Sequence, residues 1–322
     1  MNRWLAAGSI LLTLLIASVY FFIPSPLIVN KIVPLKCNTN GGDRILRDTG
    51  SWVKWWPVED KATPDQGGGK VTSDREGLTY RGVGYRASEI LMRAVGIRID
   101  DQGREISSML TIFPLIKKDS SYLQWQFALD ASLNPFKRIG QYQQATRLKA
   151  NMDVVLDSLQ RYLENRENVY GLAITEASTN DSFLVETKRI VKGYPGTEVI
   201  YSEVKKLETF AAGYGGKRMG YPMVNIDPLA GDQFQLRTAI PVDRHIKDEG
   251  DIFSRKLVRG NYLETDVHGG SGAVNSALGK MNNYISDYGR TVMAIPFFSL
   301  MTDRSKEPDT TKWVTRIYYP IY

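Results

Sequence analysis

Two arginines stand at matching points of a sequence that this chain contains twice. Arg237 lies four residues before Pro241, and Arg316 lies four before Pro320. They sit in Phe-Gln-Leu-Arg-Thr-Ala-Ile-Pro-Val-Asp (residues 234–243) and Trp-Val-Thr-Arg-Ile-Tyr-Tyr-Pro-Ile-Tyr (residues 313–322). A guanidinium is a planar fork of donors that fits a carboxylate or a phosphate through two hydrogen bonds. Two of them facing one pocket would favour an anion. On a solvated sheet face, or each beside an acid such as Glu264, they would be surface and no more. Both outcomes stay open at this level. Glu186 and Glu264, on the strands that open the two copies, are the acids available for proton transfer, which would call for a shifted pKa in a cleft.

Other chemistry is excluded or unsupported. Val267-His268-Gly269-Gly270-Ser271-Gly272 fails the Gly-x-Ser-x-Gly nucleophile elbow because position 273 is alanine. The same place in the first copy is a glycine turn (residues 193–196), so the segment is expected to be a helix entry with Ser271 as N-cap. His245 and His268 are the only histidines, and no ligand set surrounds either. The single cysteine, Cys37, excludes an internal disulfide framework and gives no basis for zinc. Gly67-Gly68-Gly69-Lys70 lacks the first glycine and the hydroxyl residue of a phosphate loop. No metal, cofactor or catalytic residue is expected. Trp52, Trp55 and Trp56 read as core or cavity wall. The charge is +6, from 41 basic and 35 acidic residues without a long basic run, so nucleic acid is not an expected partner.

These residues need elements to hold them. The chain has room for about two domains. Residues 4–23 form an uncharged apolar run after Arg3, ended by Pro24 and Pro26. About 20 such residues span a bilayer core. Bulky Tyr20, Phe21 and Phe22 disfavour a cleaved signal peptide. The expectation is therefore an uncleaved single-pass anchor (residues 1–25), N-terminus cytoplasmic and the remainder extracytoplasmic, as at a bacterial inner membrane. A strand over 27–35, a helix over 38–56 stopped by Pro57, and a loop over 64–70 follow. Strands over 106–116 and 122–129 come next, the second alternating Leu123, Trp125, Phe127 and Leu129 with polar partners. A one-sided amphipathic helix covers 141–164, with Leu148, Met152, Val155, Leu156, Leu159 and Leu163. The first copy then reads as strands over 169–176 and 183–191, a turn at 178–181, a helix over 197–212, and strands at Pro222 and up to Pro241. Residues 244–259 read as a charged linker. The second copy opens at 261–267, has a helix over 271–287 and closes with two strands. Val191-Lys192-Gly193 matches Val267-His268-Gly269, and Tyr214-Gly215 matches Tyr288-Gly289. The fold class is α+β, and a duplicated strand–helix–strand–strand unit leaves a groove for a ligand.

A strand, a tryptophan-bearing helix, an antiparallel sheet and a long final helix over residues 27–165 resemble the helix-grip fold of START and polyketide-cyclase-like (SRPBCC) proteins. Trp52 to Pro57 sits where that family carries a Trp-x-x-Trp-x-Pro-like stretch, which implies an apolar cavity with Trp52 and Trp55 against a ligand. Residues 168–322, with repeats at about 168–243 and 258–322, resemble the gyrase-inhibitor-like (GyrI-like) effector-binding domain. The resemblance rests on Tyr262-Leu263-Glu264-Thr265-Asp266-Val267-His268-Gly269-Gly270, Tyr288-Gly289, residues 297–302, Glu307-Pro308-Asp309 and Thr315-Arg316-Ile317-Tyr318-Tyr319-Pro320. It implies a pocket with Tyr262, Glu264, Phe298, Arg316 and Tyr318, and Arg237 by the repeat. The family often has an acid at the position of Arg316 and takes cationic aromatics there, so arginine implies an anionic or hydrophobic aromatic ligand instead. The expectation is a membrane-anchored, non-enzymatic binder of small molecules, with oligomeric state open. A hydrolase or cyclase using a pocket glutamate is the alternative.

Overall fold

Period-two alternation of apolar and polar residues builds two antiparallel sheets in the computed structural model, which describes residues 2–57, 77–179, 182–257 and 260–322. The expected loop at 64–70 with its glycine run, and the turn residues Asn180 and Asp181, lie outside the described residues, as does the side chain of Arg3. The chain divides into two compact units, Met1–Val169 and Tyr170–Tyr322.

In the first unit, β1 (Leu27–Leu35), β2 (Leu78–Tyr80), β3 (Val83–Leu91), β4 (Ala94–Asp101), β5 (Arg104–Pro114) and β6 (Ser121–Leu129) form one sheet in the order β1-β6-β5-β4-β3-β2. Helix α1 (Asn2–Phe22) precedes it, α2 (Thr39–Arg47) follows β1, and α3 (Pro135–Glu164) lies against β1 and β6. Leu148, Met152, Val155, Leu156 and Leu159 of α3 are fully buried, as are Leu110, Ile112, Leu123 and Trp125 of the sheet. Helix α3 starts at Pro135 rather than 141 because Asn134 caps it, accepting from Phe136 N (3.0 Å) and Lys137 N (3.3 Å). The helix expected over 38–56 breaks after Arg47. Asp48, Thr49, Gly50 and Ser51 are poor helix formers, and the Ser51 hydroxyl donates to Asp48 O (2.8 Å) to begin a tighter 3₁₀ turn at Thr49–Lys54.

The expected transmembrane anchor, and with it the membrane location and the extracytoplasmic placement, is corrected: among the described residues no helix is long and apolar enough to cross a membrane. Side chains are described continuously in α1 only from Ala7. The last turn is docked on the protein itself. The Tyr20 hydroxyl bonds Leu133 O, and the Arg138 guanidinium donates to Ile23 O and sits 4.9 Å from the Tyr20 ring centre.

The second unit opens with the short helix α4 (Arg166–Tyr170), shared with the end of the first. Its sheet has eight strands: β7 (Thr175–Thr179), β8 (Ser182–Lys192), β9 (Met223–Pro228), β10 (Gln233–Val242), β11 (Ile252–Leu257), β12 (Gly260–His268), β13 (Phe297–Leu300) and β14 (Val314–Ile321). The order is β11-β8-β10-β9-β13-β14-β12-β7. Equivalent strands of the two repeats are placed symmetrically about the central β9–β13 pair. Each outermost strand belongs to the other repeat: β7 pairs with β12, and β11 pairs with β8. The stretch 244–259 therefore holds a strand and not merely a linker. Its charges, Arg255 and Lys256, are exposed while Ile252 turns inward. Helices α5 (Thr197–Gly213) and α6 (Ser271–Tyr288) stop at the matched Tyr-Gly pairs, where Gly215 (φ 71°) and Gly289 (φ 57°) take the left-handed backbone that favours glycine. Gly270, not Ser271, is the N-cap of α6, so the serine is the first helical residue.

Val204, Leu207 and Ala211 of α5 pack on Val185, Ile240 and Val242, and α6 lies against β12 and β14. The register carries the α5 face through Thr238, Val224, Phe298 and Ile317 to Thr265. The opposite face carries the arginines.

Candidate functional site

On that opposite face one cross-strand row crosses most of the second unit's sheet. Lys188 pairs with Arg237, Arg237 with Asn225, Phe297 with Tyr318, and Tyr318 with Glu264. The middle link is a hydrogen bond from Asn225 Nδ2 to Pro296 O (3.1 Å), which brings β9 against the residue before Phe297. Side chains directly opposite on neighbouring strands touch. At ~4.8 Å per strand, Arg237 and Glu264 stand about 19 Å apart, with the rings between them. Among the described residues of this unit no helix packs on this face. Met223, Asn225, Ser299 and Tyr262 are nevertheless buried, while Arg237, Phe297, Tyr318 and Glu264 are half-buried, as on the hollow side of a curled sheet.

The rings form a cluster. Phe297 and Tyr318 stack with centroids 4.9 Å apart at 18°, and Tyr262 meets Phe297 (5.8 Å) and Tyr318 (6.2 Å) edge to face. Such packing holds the rings rigid. Glu264, beside Tyr318, has no ion-pair partner among the described residues.

The two arginines differ. Arg316 is held by Asp266 in a bidentate pair, Nε to Oδ1 at 2.6 Å and Nη2 to Oδ2 at 2.8 Å. The hydrogen bond from Arg316 holds the Asp266 carboxyl below the usual carboxylate range, and the same bond raises the guanidinium pKa. Its partner is thus Asp266, directly across the ladder, and not Glu264. Arg237 has no such partner. Its Nε is 4.0 Å from Asp227 Oδ2, and Nη2 reaches Gln235 Oε1 only at 3.5 Å. The buried Nε of Arg237 makes no hydrogen bond, nor does the buried Oδ1 of Asn225 beside it.

Of the residues expected at a pocket in this unit, Arg237, Glu264, Arg316, Tyr318 and Tyr262 share this face. Phe298 lies on the helix-bearing face, buried, and Phe297 stands in its place. Asn225, Phe297 and Asp266 were not foreseen. Their signal is the strand period counted from Tyr318 and Glu264, which selects positions 297 and 266 but needs the ladder register to reach 225. Glu186 is engaged by Arg255 (3.0 Å).

A second concavity of about 620 Å³ lies on the helix-bearing side, between α5 and the segments 221–222 and 300–306. Tyr201, Tyr221, Pro222 and Leu300 line it, with Lys205 and Lys306 at hand. Next to it the Arg304 guanidinium lies 4.6 Å over the Trp313 ring and donates to the Thr315 hydroxyl (2.6 Å). Burial pulls its pKa down.

Trp52 and Trp55 are in the first unit, where they belong to its core. Trp52, Trp55 and Trp56 are each at most 4% exposed. Trp52 and Trp56 are parallel (6.3 Å, 3°), and the ring chain continues through Tyr85 to Trp125. Trp52 Nε1 donates to Leu46 O (2.9 Å), Trp56 Nε1 to Thr79 O (3.2 Å) and Trp125 Nε1 to the Ser108 hydroxyl (3.0 Å). The Trp55 Nε1, the Tyr85 hydroxyl and both amide atoms of Asn151 are buried without a hydrogen bond. Burial pushes the Tyr85 pKa up to about 12.

No family model matches this chain. No curated protein matches it either. Among solved structures it is similar to the C-terminal domain of EcmrR, at 16% identity and TM-score 0.39, over 47% of this chain and 98% of that one. It is similar to SAV2435 bound to tetraphenylphosphonium, at 14% identity and TM-score 0.32, over 47% of this chain and 94% of that one. It is also similar to a hydrolase from Listeria innocua, at 10% identity and TM-score 0.38, over 46% of this chain and 91% of that one. The helix-grip resemblance of the first unit finds no support in them. At such scores the likenesses decide nothing about function, which rests on the geometry of the sheet face.

Proposed function

We propose that this protein binds a small planar aromatic molecule on the hollow face of the second unit's sheet, and does no chemistry on it. The observation that carries this is the ring cluster of Phe297, Tyr318 and Tyr262, of which Phe297 and Tyr318 stand in one cross-strand row between Glu264 and the Asn225–Arg237 pair. Rigid rings with a few polar groups at their margin are the usual lining of a small-molecule site. The pairing of Arg316 with Asp266 removes one of the two guanidiniums on which a preference for anions would rest. Aromatic surface supplies the affinity, and Arg237, Asn225 and Glu264 supply orientation.

The test is a titration of the full chain with a neutral fluorescent coumarin, followed by anisotropy. An aromatic pair contributes about 0.5–1.5 kcal/mol beyond its area, so Tyr318→Leu should weaken binding by roughly 2- to 13-fold. Equal affinity in wild type and Tyr318→Leu, in a variant that melts like wild type, would refute the assignment.

A further inference from the structure

Arg237 and Asn225 stand at the polar margin of the site proposed above, on which this inference rests. The two residues are direct partners across β10 and β9. One presents a buried donor without an acceptor, Arg237 Nε–H, and the other a buried acceptor without a donor, Asn225 Oδ1. Asn225 is 6% exposed, so water at the surface does not serve it. A buried polar atom left unmatched is costly, so such atoms mark places where a partner arrives.

The orientation of the Asn225 amide decides which partner. Its Nδ2 is committed to Pro296 O at 3.1 Å, so Oδ1 is the atom that points away. Turning the amide over would set oxygen against oxygen. A bare carboxylate would satisfy Arg237 Nε–H but would place its lone pairs against Asn225 Oδ1. An ammonium would satisfy Asn225 Oδ1 but has no lone pair to accept from Arg237 Nε–H. A group offering an acceptor and a donor side by side satisfies both atoms. The edge of a cyclic amide, N–H next to C=O, has this form. Strand spacing puts Phe297 one strand, ~4.8 Å, from Asn225, and a fused bicycle covers that distance.

We propose that the site takes a neutral planar lactam, with its carbonyl accepting from Arg237 Nε–H, its N–H donating to Asn225 Oδ1, and its fused ring against Phe297 and Tyr318.

Three probes separate the possibilities by calorimetric titration of the full chain: 2-quinolone, 1-methyl-2-quinolone and 2-naphthoate. Methylation replaces the donor hydrogen by a methyl group, so 2-quinolone should bind about tenfold or more tighter than its methyl derivative, as for a hydrogen bond to an otherwise unmatched buried acceptor. In Asn225→Leu the ratio should fall to about one. In Arg237→Met both quinolones should weaken together. Equal binding of the two quinolones to wild type overturns the lactam assignment even if Asn225→Leu fails to fold. Tighter binding of 2-naphthoate than of 2-quinolone also overturns it, in favour of a carboxylate at Arg237. In either case the site stands if Tyr318→Leu still weakens the probes. No binding of any of the three probes to wild type overturns the lactam assignment, and the site goes with it if Tyr318→Leu also leaves the coumarin affinity unchanged.

Discussion

Replacing Asp266 by asparagine keeps the shape of the side chain and removes the charge that holds Arg316. The pair is bidentate and lies on a sheet face, with side chains 31% and 42% exposed. Exposed pairs contribute a median of about 0–1 kcal/mol, and good geometry places this one at the upper end, about 1 kcal/mol. For a unit of this size that corresponds to a fall in Tm of about 2–4 °C at neutral pH. The pH dependence fixes the cause. The folded-state pKa of Asp266 lies below its ordinary value of 3.8. Its contribution is therefore complete above the unfolded pKa and disappears as pH falls through the folded one. The Tm difference between wild type and Asp266→Asn should stay constant from pH 7 to about pH 5 and vanish toward pH 2. Other carboxylates titrate in both proteins and cancel in the difference. Melts followed by near-ultraviolet circular dichroism at each pH supply the data. A difference that persists unchanged to pH 2, or none at pH 7, would show that the ion pair does not hold Arg316, and Arg316 would return as a ligand contact.

Three further outcomes follow from the packing. Thr238 is fully buried and its hydroxyl makes no hydrogen bond, so Thr238→Val, of the same shape, should stabilise the protein by about 1 kcal/mol in urea titrations. Asn134→Ala removes the cap of α3 and should cost about 1 kcal/mol in the same assay, with no change in ligand affinity. Residues 170–322 expressed alone should melt cooperatively and keep the binding of a neutral coumarin, because the rings Tyr170, Tyr284 and Tyr288 and the whole sheet lie within that range; a fragment without a cooperative transition would count against the boundary.

Much of the second unit could be read from the amino acids. The repeat, the helices over 197–212 and 271–287, and the side of the strand on which Arg316 and Tyr318 lie follow from matched prolines, Tyr-Gly stops and the period of two. What could not be read is which strands become neighbours. Asp266 and Arg316 are fifty positions apart, and only the ladder brings them together, so the acid at Glu264 looked equally suitable. Phe297 and Phe298 are adjacent and chemically alike, and a shift of one residue exchanges the two faces. In the first unit β1 was legible at both ends, whereas the start of α3 was hidden by Gly140, although Asn134-Pro135 is a helix-entry signal. The apolar N-terminal run read as a span because hydropathy does not register the docking of Tyr20 and Ile23 by Leu133 and Arg138.

The exchange of the outermost strands binds the two repeats into one object. A chain with only the first repeat would carry β7 with no β12 to pair with and would leave the outer edge of β8 bare. Two such chains complete each other by trading β7 reciprocally, so a half-length version should be an obligate pair related by a twofold axis. A single cut in residues 243–251 should likewise not release the halves, since the β7–β12, β11–β8 and β9–β13 ladders all cross it. The aromatic cluster and the Arg237–Asn225 pair then sit on opposite sides of a seam that no single scission can open.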